Sequence, residues 1–179
     1  AVTKQMSYLQ MGSAQIELNF EDLPFEQWNK VGSTKIELMY KPSAQMTARP
    51  LRKIASGGEV SRVMLACKVV LGESDVCDTL VFDEVDAGVG GATAVALAEV
   101  LAQLAKTHQV IVVTHLPQVA VMASKHYVVS KTEEHNALPI TSLTEVSGTQ
   151  REEEIARMLS GSITEASLAH AHELLSEVR

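Results

Sequence analysis

The run Thr79-Leu80-Val81-Phe82-Asp83-Glu84 constrains this chain more than any other stretch. A short, continuously apolar segment with polar flanks is the pattern of a parallel strand covered on both faces. A glycine-rich loop (Gly88, Gly90, Gly91) and an alanine- and leucine-rich helix ending near Lys106 come next, followed by a second apolar segment over residues 109–114. Strand, helix and strand in that order predict an α/β fold with a largely parallel sheet flanked by helices. In such a sheet ligands bind beyond the carboxyl ends of the strands. Asp83 and Glu84 stand at that end of the first strand, and His115 at that end of the second.

Upstream, Ser56-Gly57-Gly58-Glu59 has the S-x-x-E spacing of a capping box. Val60, Val63, Met64, Cys67, Val70 and Leu71 then recur at helical spacing, and Gly72 ends the stripe. A glycine pair at a helix start presents bare backbone N–H groups to an anion, with the helix dipole behind them. Nearer the beginning, Val2, Met6 and Leu9 predict a helix stopping at Gly12. Alternation at Ile16, Leu18 and Phe20, and again at Ile36, Leu38 and Tyr40, predicts a small antiparallel strand pair with one buried face. Residues 41–50 read as a loop. Beyond His115 the pattern gives a short helix over 117–123, strands over 127–130 and 140–146, and two helices parted at Gly161 and Thr164.

Composition excludes several classes. The hydrophobic share of 46% with 21% charge belongs to an ordinary globular protein. The net charge of −7 is concentrated late: neutral over the first fifty residues, −1 over 51–131 and −6 over 132–179. No basic stripe marks a DNA-contacting surface. No apolar run reaches bilayer-spanning length, so no membrane association is expected. Cys67 and Cys77 have no histidine at ligand spacing, which argues against zinc, and a buried free thiol at Cys67 suits a reducing, cytoplasmic setting. The chain opens on Ala1 inside a helical pattern, so it is expected to be part of a longer polypeptide.

The polar groups suit nucleotide chemistry. Asp83 is a candidate Mg²⁺ ligand, acting through water because that ion keeps part of its hydration shell. Glu84 is placed to orient or deprotonate a water, and His115 to donate to a phosphate oxygen. Ser56, Gly57 and Gly58 form the anion site. Taken singly, each has an ordinary reading: a solvated loop opening, a capped helix, a structural histidine and, at Asp86, a turn. Only their combination in this order favours function. No G-x-x-x-x-G-K-[S/T] occurs, and Gly88 to Gly91 is followed by Ala92-Thr93 without the lysine, so the phosphate cradle is missing. A dinucleotide site fails as well: Thr93 stands where a third glycine is needed, and Thr114-His115 where an acidic residue is needed.

These residues resemble the ABC-type ATPases in their chromosome-maintenance (SMC-like) form. Residues 56–62 resemble the signature motif, 79–84 the Walker B strand, Val85-Asp86 and the following loop the D-loop, and Thr114-His115 the switch-histidine segment. The strings KIASGGEVSRVMLACKVV, LVFDEVDAGVGGATA and VTHLPQVA are closer still to the RecN-type branch, bacterial ATPases of DNA double-strand break repair and recombination. The resemblance is strong over 51–131. It implies that residues 1–179 form the carboxyl-terminal lobe of an ATPase head, with 1–12 the returning end of a coiled coil. The amino-terminal lobe of the same protein would bring the Walker A loop. ATP and Mg²⁺ are the implied cofactors, a second head in an ATP-dependent homodimer the implied partner, and DNA is reached through the full-length protein. Glu84 and His115 would be catalytic and Asp83 the metal ligand, while Ser56, Gly57, Gly58, Glu59 and Asp86 would bind nucleotide. The chain alone is expected to be inactive, and the whole protein cytoplasmic and nucleoid-associated. The competing expectation is a non-catalytic dimerisation or interaction module with a degenerate nucleotide site.

Overall fold

The computed structural model describes residues 1–54, 56–72, 77–132 and 139–178, in two compact units, Ala1–Val113 and Thr114–Arg179. In the first unit α1 (Val2–Tyr8) buries Met6 and packs on α2. It stops short of Gly12, because Gln10 already takes a left-handed φ of +57°.

Strands β1 (Gln15–Asp22) and β2 (Thr34–Lys41) pair antiparallel from Gln15↔Lys41 to Asp22↔Thr34. A two-residue β3 (Arg49–Pro50) joins β2 from within the stretch that reads as loop. The register sets Leu18 opposite Leu38 and Phe20 opposite Ile36, so the alternating residues do share a face. That face is covered only at its base, where Tyr40 is buried; Leu18, Phe20 and Ile36 are 56%, 62% and 60% exposed. The alternation reports a face suited to burial, and this unit supplies little to cover it.

Helix α2 (Gly57–Leu71) starts at Ser56, whose Oγ accepts the Glu59 N–H at 3.3 Å, and ends at Gly72 with φ +51°. Its buried side chains are Val63, Leu65 and Ala66, whereas Met64, Val70 and Leu71 of the expected stripe are exposed. The helix is apolar nearly all round, so spacing alone does not select its inner face.

The parallel element is narrower than expected. β4 (Thr79–Phe82) and β5 (Gln109–Val112) pair in parallel from Thr79↔Gln109 to Phe82↔Val112, joined by the crossover helix α3 (Gly91–Leu104). Among the described residues these two strands are the whole parallel sheet, and the other ladders are antiparallel. Leu80 and Phe82 are buried, while Val81, Ile111 and Val113 on the other face are exposed. Coverage on both faces is therefore not realised among the described residues. Among the described residues the expected largely parallel sheet is one parallel pair, with antiparallel ladders elsewhere in the sequence.

The second unit holds a short α4 (Pro117–Ala120), an antiparallel ladder of β6 (His126–Thr132) and β7 (Ile140–Val146), then α5 (Gly148–Ser160) and α6 (Glu165–Glu177). Its core gathers Ala120, Val121, Ile155, Ala156 and Ala171. Arg151 on α5 donates to the carbonyls of Ala120, Val121 and Ala123, at 2.7 Å for the last, which fixes α5 to the end of α4. Among the described residues no helix is long and apolar enough to cross a membrane.

Candidate nucleotide site

The site is built where the start of α2 meets the turn that leaves β4. Ser61 Oγ donates to the Asp83 carbonyl at 2.8 Å. Arg62 Nη1 donates to the carbonyls of Val85 and Ala87 at 3.2 and 2.9 Å. The turn closes on itself through Ala87 N–H to Glu84 O at 3.0 Å and Val89 N–H to Asp86 O at 3.2 Å. Glu84 sits at its head with φ +56°, a left-handed conformation that costs a non-glycine residue about 1 kcal/mol or more. Val85 and Asp86 point inward, at 0% and 3% exposure, which leaves Asp83 and Glu84 on the rim.

The glycines have a second reason beside amide presentation. A Cβ on Gly57 would collide with Oε2 of Glu84, so that carboxylate rests over the first turn of α2. A Cβ on Gly58 would lie 2.8 Å from the Ala87 Cβ and 3.0 Å from the Glu84 carbonyl. Gly57 faces the tip of a flexible side chain; buried Gly58 faces a turn that is bonded in place. Gly58→Ala is therefore expected to cost about 1–3 kcal/mol, as over-packing does, and Gly57→Ala less than about 1 kcal/mol. Urea midpoints of the two variants at unchanged m-value measure the difference.

The first unit thus brings Ser56, Gly57, Asp83 and Glu84 together at its surface, with Gly58 buried beneath them. Asp86 belongs to the same turn and is buried within it. His115 lies in the second unit, three residues past the end of β5, and is exposed; beside it Leu116 N–H donates to Thr114 Oγ1 at 3.0 Å. Glu59 turns away from the rim. With Arg62, Tyr40, Leu9 and Thr93 it lines a cleft of about 500 Å³ that Ser56, Asp83 and Glu84 do not reach. Burial first, and then Glu59, raise the Tyr40 phenol above its ordinary value, while Arg62 opposes them. Burial likewise raises the Cys67 thiol, and neither cysteine is in a disulfide, so Cys67 is an unreactive packing residue.

Among the described residues no cluster of three or more His, Cys, Asp or Glu side chains is placed to hold a metal. The exposed Asp83 nevertheless fits magnesium, which binds through one or two carboxylates and fills its remaining positions with water and phosphate oxygens. Ser61 and Arg62 fall within the signature-like run 56–62, but the sequence assigns them no role of their own. Their partners are backbone carbonyls more than twenty positions away, and no side-chain pattern announces such acceptors.

Comparison with known proteins bears on the family and the fold. No protein-family profile matches the chain. It is 49% identical over 145 residues to the DNA repair protein RecN of Deinococcus radiodurans, covering 81% of this chain and 25% of that protein. It is 40% identical to RecN of Xylella fastidiosa, covering 99% of this chain and 32% of that one. The chain thus spans about a quarter to a third of the length of these relatives. Among solved structures, an SMC ATPase described for ATP-driven dimerisation and DNA-stimulated activation superposes with a TM-score of 0.51 at 19% identity, covering 89% of this chain and 92% of that one. That likeness shows an SMC head-domain fold.

Proposed function

We propose, from the premise that this chain is a RecN-type sequence over four-fifths or more of its length, that residues 1–179 form the carboxyl-terminal lobe of an ATP-hydrolysing head in a DNA double-strand break repair protein. Residues 1–12 are the returning end of a coiled coil, and 51–131 carry the signature, Walker B, D-loop and switch-histidine core. Asp83 holds Mg²⁺, which draws charge from the phosphates when bound. Glu84 acts on the water that attacks ATP in its own head, and His115 donates to the terminal phosphate. Ser56, Gly57 and Gly58 face the ATP of a second head, Glu59 serves that helix start through its backbone N–H on Ser56 rather than through its carboxylate, and Asp86 holds the D-loop between the two. Positioning and charge stabilisation of this kind are most of what phosphoryl transfer requires.

The observation that carries this reading is the Glu84 carboxylate resting over Gly57. A carboxylate and the start of a capped helix lie side by side on one exposed rim, which supports water activation by the first and anion binding by the second. The uncovered faces support it too. Val81, Ile111 and Val113, with Leu18, Phe20 and Ile36, offer apolar area to an amino-terminal lobe of the same protein. ATP then joins two heads, hydrolysis releases them, and DNA is engaged by the full-length protein in the cytoplasm.

Those same faces also favour a second reading, a non-catalytic interaction module. Co-expression with the amino-terminal lobe, followed by an ATPase assay with and without DNA, separates the two. The expected result is no turnover by this chain alone and clear turnover by the joined lobes. Robust hydrolysis by the chain alone, or none by the joined lobes, contradicts the assignment.

A further inference from the structure

The signature run is assigned to the nucleotide of a second head, yet among the described residues the side chains of Ser61 and Arg62 within it bond to the carboxylate turn of the same chain. We infer that Arg62 and Ser61 are positioning residues for Glu84 of the same head, a role that deepens the proposed function and rests on it.

The geometry is specific. Glu84 keeps a left-handed backbone, and a strained residue stays in place only where its surroundings over-determine it. Three carbonyls around it are held from α2: Asp83 O by the Ser61 hydroxyl, and Val85 O and Ala87 O by the Arg62 guanidinium. The flanking peptides are therefore fixed on both sides of the strained residue, and Gly58 lets the helix approach closely enough to do so. Arginine brings charge to two acceptors at once, which a neutral side chain of similar length does not. Ser61 and Arg62 touch no reacting group in this arrangement. They act through the direction in which Glu84 leaves the backbone. One head's signature helix is thus coupled to two nucleotides: its exposed start faces the partner's, and its second turn aims the carboxylate serving its own.

The test uses the full-length protein. Arg62→Ala is expected to lower kcat for ATP at least tenfold with KM changed less than twofold, and Arg62→Lys to restore part of kcat. Ser61→Ala removes a single hydroxyl and is expected to lower kcat about threefold at an unchanged urea midpoint, so the inference stays testable if Arg62→Ala fails to fold. Mixed dimers, isolated through two different tags, separate the same-head role from a role across the interface. In each, one head carries Glu84→Gln and the other is either wild type or Arg62→Ala. In the Arg62→Ala mixture the only intact Glu84 belongs to the head lacking Arg62, while the signature facing that ATP is unaltered. Turnover at a tenth or less of the wild-type mixture supports positioning within one head. Equal turnover overturns it, as does an Arg62→Ala defect confined to KM. Absence of turnover in the homogeneous wild-type protein would instead refute the ATPase reading itself.

Discussion

Glu84→Gln in a complete head is expected to reduce steady-state ATP hydrolysis by at least a hundredfold, while ATP binding persists and dimers accumulate. Glutamine keeps the length of the side chain and the left-handed turn, and it removes the charge and the basicity that activate a water. A positioned general base contributes about 10²- to 10⁴-fold, and a hundredfold loss corresponds to about 2.7 kcal/mol in the barrier. Phosphate release measures the rate, and light scattering with and without ATP measures pairing. Unchanged hydrolysis would remove Glu84 from the role. A tenfold loss, worth only ~1.4 kcal/mol, would indicate positioning rather than chemistry.

Ser56→Arg is expected to leave the ATP affinity of a single head intact and to abolish ATP-driven pairing. Ser56 is the exposed cap of α2, so a long cation there blocks the helix start and sets like charge against the positive end of the helix dipole. The lost cap costs about 1 kcal/mol. Ser56→Ala carries the same cap loss without the bulk, and it is expected to retain pairing. Scattering that doubles with ATP in Ser56→Arg as it does in wild type would take the signature start out of the interface.

Much of the site was legible because its signals are local. A serine followed three residues later by glutamate marks the start of α2, and the cap bond to Glu59 is present. An apolar run meeting two carboxylates marks the end of β4, and Asp83 and Glu84 are on the exposed rim as expected. Asp86 lies in a turn, as its ordinary reading has it, but its burial was not legible, because nothing in the neighbouring sequence reports which turn side chains pack inward. The inner face of α2 was also illegible: with Val63, Met64, Leu65, Ala66 and Cys67 in succession, periodicity admits more than one stripe. The parallel pattern of β4 and β5 was read correctly for the pair, but the width of a sheet depends on what bonds to its outer edges. Those partners leave no mark in the strands themselves.

The sequence alone determined a capped helix, a strand ending in adjacent carboxylates, and that residues 1–179 carry no phosphate-loop motif, because caps, apolar runs and motif spacings are set by residues within a few positions of one another. Tertiary structure alone decided that Gly57 and Gly58 make room for Glu84 and Ala87, and that Ser61 and Arg62 reach the carbonyls of the turn. Close approach between segments more than twenty residues apart is a property of packing, and backbone acceptors look the same whatever side chain they carry.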